Sequence, residues 1–367
     1  MIDAGERPSH TDGAAAPKPS APAAPAAPDQ TPVRDQAAPA TLSLPRLIGW
    51  SAAMLAAALA VGGACTLVGV ISLSDLTRQM WESRALLMLT AGLVGASLAA
   101  GGLALQGLMR NPLAEPYILG ISSGAGVGVM MGLAATVKLS LPAWASTPVL
   151  AFLGAMASCM AVYLVAQRRG RLDPYSLILS GVIVNIFNGA IMLAGNLYID
   201  PNRIADMTYW AMGQLPDATP RSLLGVCGAC IVAGWAALLA NSAAFNVLGL
   251  GDDVAGSSGV RVSRLRLVTF GAVGVMTAAA VALAGPIGFL GLIVPHICRM
   301  AFGPDHRLGL VVTPLAGAIF LMIAETLCRS LGPALGLGRV PVGILTALAG
   351  GPFFIFLLRT RFRGASA

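Results

Sequence analysis

The chain has 367 residues, of which 56% are hydrophobic and 11% charged, with 44 glycines and a formal net charge of +7. A soluble chain carries about 25% charged residues, so this one lacks the polar side chains to cover a water-facing surface and reads as a polytopic membrane protein. The positive charge does not point to nucleic acid, because the arginines lie between apolar runs, a pattern that reports membrane topology.

Residues 1–45 form a separate region. Their "AAAPKPSAPAAPAAPDQTPVRDQAAPA" is Ala/Pro-rich without periodicity, which predicts a disordered, partly polyproline II tail. It does not read as a signal peptide, since no charged segment leads directly into a short apolar run. Ten apolar segments follow, at about 46–70, 85–108, 117–137, 147–167, 172–196, 222–241, 265–284, 286–303, 309–330 and 341–358. Most approach the roughly twenty residues that cross a bilayer, so residues 46–362 read as one all-α transmembrane domain. Gly285–Pro286 marks either a tight turn or a kink.

"MRNPLAEPYILGISSGAG" (109–126) interrupts these runs with two prolines and several polar residues. Pro112 and Pro116 lack backbone donors and stop the preceding helix. With the amino terminus inside, fourteen arginines fall on cytoplasmic connections, against six arginines and Lys138 outside. That asymmetry predicts both termini in the cytoplasm. A weak repeat, "TAGLVGASLAA" (Thr90–Ala100) and "TFGAVGVMTAA" (Thr269–Ala279), recurs five segments later. An odd number of crossings per half predicts two inverted five-helix halves.

Chemistry-bearing residues are few. Glu325 is the one acid well inside a predicted span, Asp173 standing at the edge of another, and Arg329 follows Glu325 one turn later in the favourable i,i+4 order. Ion-coupled transporters usually need several intramembrane carboxylates. Only His10, His296 and His306 exist, and the six cysteines mostly fall inside apolar runs. Cys227 and Cys230 have CxxC spacing without a second ligand pair, so they read as packing residues. No haem, zinc or acid–base constellation assembles, and neither Lys18 nor Lys138 follows a phosphate-binding glycine motif. The chain is therefore predicted to hold no cofactor and to hydrolyse no ATP itself.

Three stretches are more specific. "GGLALQGLMRNPLAEPYILGISSGAGVG", "GPIGFLGLIVPHICRM" and "VPVGILTALAGGPFFIFLL" resemble, in order, signatures of the permease family of iron–siderophore, haem and cobalamin ABC importers, the FecCD/BtuC-like transmembrane subunits. The resemblance covers about 46–362 and implies the type II importer plan: ten helices per subunit, and two subunits around a pathway. Asn111, Pro112 and Leu113 would then lie at the cytoplasmic gate. "FNVLGLGDDVAGSSGVRVSRLRL" is similar to the loop that docks on the ATPase, with the match carried by Gly251, Asp252, Gly256, Gly259 and Val260; Leu250 and Asp253 complete the expected coupling loop. Val247, Leu248 and Leu250 are expected to enter a groove on the ATPase, with Asp252 and Asp253 on its rim. His296 in "VPHICR" reads as structural or interfacial.

Arg84 and Arg329 match positions that dock a substrate-binding protein. Here the sequence departs from the family's R-L-P-R and reads Arg84-Ala85-Leu86-Leu87. Arg329 is also the candidate partner of Glu325, so its two readings compete. The resemblance implies an importer permease for an iron chelate in a bacterial inner membrane. Its partners would be a second permease copy or paralogue, ATPase subunits that bind ATP and magnesium, and a periplasmic or lipid-anchored binding protein. A haem or cobalamin importer of the same family is the first rival, an ion-coupled secondary transporter the second and a membrane-bound enzyme the third.

Overall fold

The computed structural model describes residues 43–68, 77–139, 143–168, 171–336 and 338–364. The chain divides into two units, Met1–Ser43 and Leu44–Ala367, and every element below belongs to the second. Apart from residues 43–45, the predicted tail lies outside the described residues.

In chain order the helices are α1 Leu44–Leu67, α2 Arg78–Met109, α3 Ile121–Leu139, α4 Ala143–Ala166, α5 Pro174–Gly195, α6 Pro201–Ala211, α7 Arg221–Ala240, α8 Ser242–Leu248, α9 Asp252–Ser257, α10 Val262–Ala284, α11 Leu290–Phe302, α12 His306–Ala334 and α13 Val342–Gly364. Each of the ten predicted segments is a helix. Seven are long and apolar enough to cross a membrane, and the other three contribute shorter apolar stretches, Ile121–Ala134, Leu290–Phe302 and Val342–Ile355. Among the described residues the strand pairing is one short hairpin, Gln167 with Leu172 and Arg168 with Arg171.

Helix starts follow local chemistry. Asp173 caps α5 by accepting from the Ser176 amide at 2.8 Å, ahead of Pro174. Asp305 caps α12 by accepting from the Arg307 amide at 2.8 Å. Both side chains satisfy amides that have no partner inside the helix.

Two central helices organise the bundle. Ser97 on α2 donates to the Met276 carbonyl of α10 at 2.9 Å, and Gly101 faces Val273 and Thr277, so α2 and α10 run antiparallel. α2 packs mainly against α11 and α12 of the other half, while α10 packs against α3 and α4 of the other half and against α7 of its own. The repeated glycines obey the same exchange. Gly95 lies against Gly317 of α12, and its counterpart Gly274 lies against Cys159 of α4. The weak sequence repeat is thus a structural one, and the halves are inverted and interlocked.

Close approach in lipid depends on small residues, because apolar burial gains little against hydrocarbon tails. A Cβ on Gly102 would lie 1.9 Å from the Gly291 carbonyl oxygen, where only backbone could move. Gly225 on α7, by contrast, has nothing within 4 Å. Gly102→Val should therefore destabilise the detergent-solubilised chain by about 3 kcal/mol or more. Gly225→Ala should change it by no more than about 1 kcal/mol. Thermal unfolding followed by size-exclusion chromatography measures both, and equal effects would refute this packing.

Candidate functional site

The first signature ends α2 in a way its sequence hardly suggests. Arg110 takes a left-handed conformation (φ 48°) and its amide turns back to the Gln106 and Gly107 carbonyls. The Asn111 side chain accepts from the Leu113 amide at 3.0 Å, and its carbonyl accepts from Ala114 at 3.1 Å. Asn111, Pro112 and Leu113, the expected gate residues, therefore form one tight, half-buried turn. A 3₁₀ turn, Pro116–Leu119, follows before α3.

The second signature is interrupted too. At Gly285–Pro286 the chain breaks rather than kinks: α10 stops at Ala284 and α11 starts at Leu290, with Gly285 (φ 64°) and Phe289 (φ 65°) both in the left-handed region. The first interruption satisfies the second. Glu115 accepts from the Phe289 amide at 2.6 Å, and the Tyr117 hydroxyl accepts from the Ile287 amide at 2.9 Å. Gln106 donates to the Gly291 carbonyl at 3.2 Å and accepts from Arg299. Glu115 and Tyr117 were not singled out from the sequence. The available signal was an acid between two prolines in a stretch bounded by apolar runs. Glu115 lies in the connection between α2 and α3, where burial pushes its carboxyl from 4.5 up to about 7, against the pull of the Phe289 amide.

The 249–260 segment sits at the same end of the bundle. Leu250 is 72% exposed, and Val254 and Asp253 also face outward. Leu248 is fully buried and Val247 packs against the core, so of the three expected apolar anchors only Leu250 is free to reach a partner. Gly251 (φ 125°) and Gly259 (φ 84°) take backbone angles closed to most side chains, Gly256 is exposed, and the Val260 amide returns to the Ala255 carbonyl. Asp252 is partly exposed, but it is also paired inward. It accepts from Arg110 at 3.1 Å and from Arg266 at 2.7 Å, and Arg266 also donates to the Leu172 carbonyl.

At the opposite end lies a second polar cluster. Glu325 is 1% exposed, and its partner is Arg339 at 2.7 Å, not Arg329 as the i,i+4 spacing suggested. A carboxylate this buried needs a close cation. Arg339, in the loop after α12, supplies it while also holding Asp217 at 2.7 Å and the Leu215 carbonyl. Arg329 makes no hydrogen bond or ion pair with the described residues, and it lines a cavity of about 420 Å³ with Asp217 and Arg339. It also shares an adjoining cavity of about 300 Å³ with Arg84. Arg84 itself is 6% exposed and donates to the Thr66 carbonyl of α1 at 3.4 Å, so its guanidinium is turned inward.

Elsewhere, Asn188 on α5 donates to Ser123 of α3 at 3.0 Å and to Ser158 of α4 at 2.8 Å, while Ser123 donates to Asn185 at 2.6 Å. His296 stacks edge-on with Phe353. Among the described residues no three metal-ligating side chains converge.

Interlocked inverted halves, interrupted helices joined by side-chain hydrogen bonds and salt-bridged clusters at two ends define a polytopic transport subunit. Residues 47–360 match the FecCD transport family, and the chain belongs to it, as an ABC importer permease. It is 42% identical to the cobalamin import system permease protein BtuC of Halobacterium salinarum over 73% of this chain and 70% of that one. It is 40% identical to the hemin transport system permease protein HmuU of Yersinia pestis over 74% and 80%. Its fold matches the inward-facing structure of a metal-chelate type ABC transporter with a TM-score of 0.74 and 29% identity, covering 85% of this chain and 99% of that one.

The Glu115 shift has a defined sign. The folded-state carboxyl titrates near 7 and the unfolded one near 4.5. Between those values the folded state binds more protons, so it loses stability as pH rises. Glu115→Gln keeps an acceptor for the Phe289 amide without titrating. Relative to that variant, the solubilised chain's thermal midpoint should fall between about pH 5 and about pH 7. Parallel pH profiles would disprove a buried, titrating Glu115.

Proposed function

We propose that this permease imports a metal-centred chelate, with an iron chelate such as a ferric siderophore as cargo. It would work with a second permease copy or paralogue, an ATPase subunit and a substrate-binding protein. The observation that carries the proposal is the segregation of polar sites. The Asn111–Leu113 turn and the 249–260 segment share one end of the bundle, while Arg329, Arg339 and Asp217 line a cavity at the other.

At the first end, Leu250 and Val254 offer exposed apolar side chains beside Asp253, the pattern that seats an element in a partner's groove. The coupling assignment covers Leu250, Gly251, Asp252, Asp253, Gly256, Gly259 and Val260, with contact to the ATPase made by the outward-facing Leu250, Asp253 and Val254. Opening of the Asn111–Pro112–Leu113 turn would follow ATPase closure. At the second end, Arg329 is a guanidinium with no hydrogen bond or ion pair among the described residues, suited to a carboxylate of a binding protein. Arg84 would join it only by leaving Thr66. The arginine asymmetry supports an inner-membrane topology with the 249–260 end and both termini in the cytoplasm.

Cargo choice draws support from the hemin relative and the metal-chelate transporter. The cobalamin relative, at 42% identity, supports the second reading, a cobalamin or haem importer. An ion-coupled mechanism finds no free carrier in Glu325, which Arg339 already neutralises.

Proteoliposomes holding the permease, its ATPase and binding protein should accumulate radio-iron-labelled ferrichrome only with ATP. Hemin and cyanocobalamin, assayed in parallel, decide the cargo. The purified permease alone should hydrolyse no ATP. Leu250→Glu should cut uptake and ATPase recovery by about tenfold, as expected for loss of a buried apolar anchor, with membrane insertion unchanged. Uptake without ATP would sink the importer reading, and full ATPase recovery in the Leu250 variant would move the docking site elsewhere.

A further inference from the structure

Among the described residues, every backbone hydrogen bond of the 249–260 segment stays within that segment or the end of α8. None reaches the turn at 110–114. The polar connection between the two is made by one side chain, Asp252, whose two oxygens are divided between two arginines from different elements. Each arginine leads to a different connection between spans.

The two contacts are unequal. The Arg266 side chain is 11% exposed, lies 2.7 Å from Asp252 and is fixed at its other nitrogen by the Leu172 carbonyl, 3.1 Å away. This contact is sheltered and doubly anchored, and it ties α9 to α10 and to the hairpin between α4 and α5. The Arg110 contact is longer, at 3.1 Å, with side chains 47% and 39% exposed. A pair so wetted contributes at most about 1 kcal/mol. It adds little to stability, yet thermal energy and a partner's push can open and remake it.

Arg110 is also unusually placed to pass on a displacement. It adjoins Asn111, and its left-handed backbone makes it the pivot where α2 becomes the gate turn. A non-glycine residue in this region costs about 1 kcal/mol and persists only where its surroundings hold it. The guanidinium lies beside Gly251, where an added Cβ would sit 3.8 Å from it. The polypeptide path from exposed Leu250 to Asp252 is two residues long.

We propose that Asp252 is the positioning residue that links the 249–260 segment to the gate turn. Arg266 is its fixed anchor, and Arg110 is a releasable clasp that carries displacement of the segment into Asn111–Leu113. This rests on the coupling and gate assignments above, and it assigns Asp252 an inward role distinct from ATPase docking.

The test places Leu113→Cys in the full assembly and follows its labelling by a membrane-impermeant thiol reagent, with the parent chain's labelling subtracted. Adding a non-hydrolysable ATP analogue to the assembly should change the labelling rate about fivefold or more. Asp252→Asn should reduce that response to less than about twofold, as should Arg110→Gln, and the double variant should be no worse than either alone, the non-additivity expected of one shared contact. Arg110→Lys should restore part of the response. ATPase recovery should match the parent in every variant, which a docking or folding defect would not allow. An undiminished response in Asp252→Asn, additive losses in the double variant, or ATPase loss in step with the lost response would each overturn the proposal. A Leu113 position that ignores nucleotide even in the parent overturns the gate assignment instead, and Leu250→Glu tests docking separately.

Discussion

A chain that spans lipid must satisfy its own backbone wherever a helix stops, because hydrocarbon offers no water in exchange. That constraint explains the centre of this permease. Breaks at Arg110–Gly120 and at Gly285–Phe289 interrupt the helical ladder; the first closes its own amides through the Asn111 turn and also supplies acceptors to the second. Glu115 and Tyr117 reach from the first to the amides of the second, and Gln106 accepts from Arg299 while donating to Gly291. The close contact of Gly102 with Gly291 brings these elements within reach. A bulkier residue there would separate the hydrogen-bonding partners as well as the helices.

The same charge chemistry has different consequences at the two ends. Glu325 and Arg339 form a sheltered pair whose disruption would strand a buried charge, so they hold the loop after α12 in place. Asp252 and Arg110 are water-exposed and cheap to part. Burial, more than residue type, sets which contact is permanent and which can cycle. The Asn188 cluster, bonded to both α3 and α4, is a third case, in which neutral groups join helices without charge.

Much of the architecture was legible in the sequence because hydropathy and proline placement are local signals. All ten apolar runs became helices, and the Thr90 and Thr269 repeat became a packing symmetry through Gly95 and Gly274. Long-range pairing was not legible. Helical spacing offered Arg329 to Glu325, yet Arg339 arrived from a loop fourteen residues away, and the buried carboxylate took the cation that could also grip Leu215 and Asp217. Asp252 looked like a surface charge because Arg110 is 142 residues distant in the chain. Leu248 looked like a partner's anchor, since an apolar docking face and an apolar core face read alike until the fold chooses between them.

On the proposed clasp, the left-handed backbone at Arg110 would set stability and function at odds. Glycine in that position would relieve about 1 kcal/mol of conformational cost, and the exposed pair it abolished would be worth no more than that. A thermostability screen for a tractable version of this membrane protein would thus see Arg110→Gly as neutral or beneficial. It would enrich chains that fold well, resist heat and respond poorly to nucleotide, so selection for durability alone would erode the machine while improving the material.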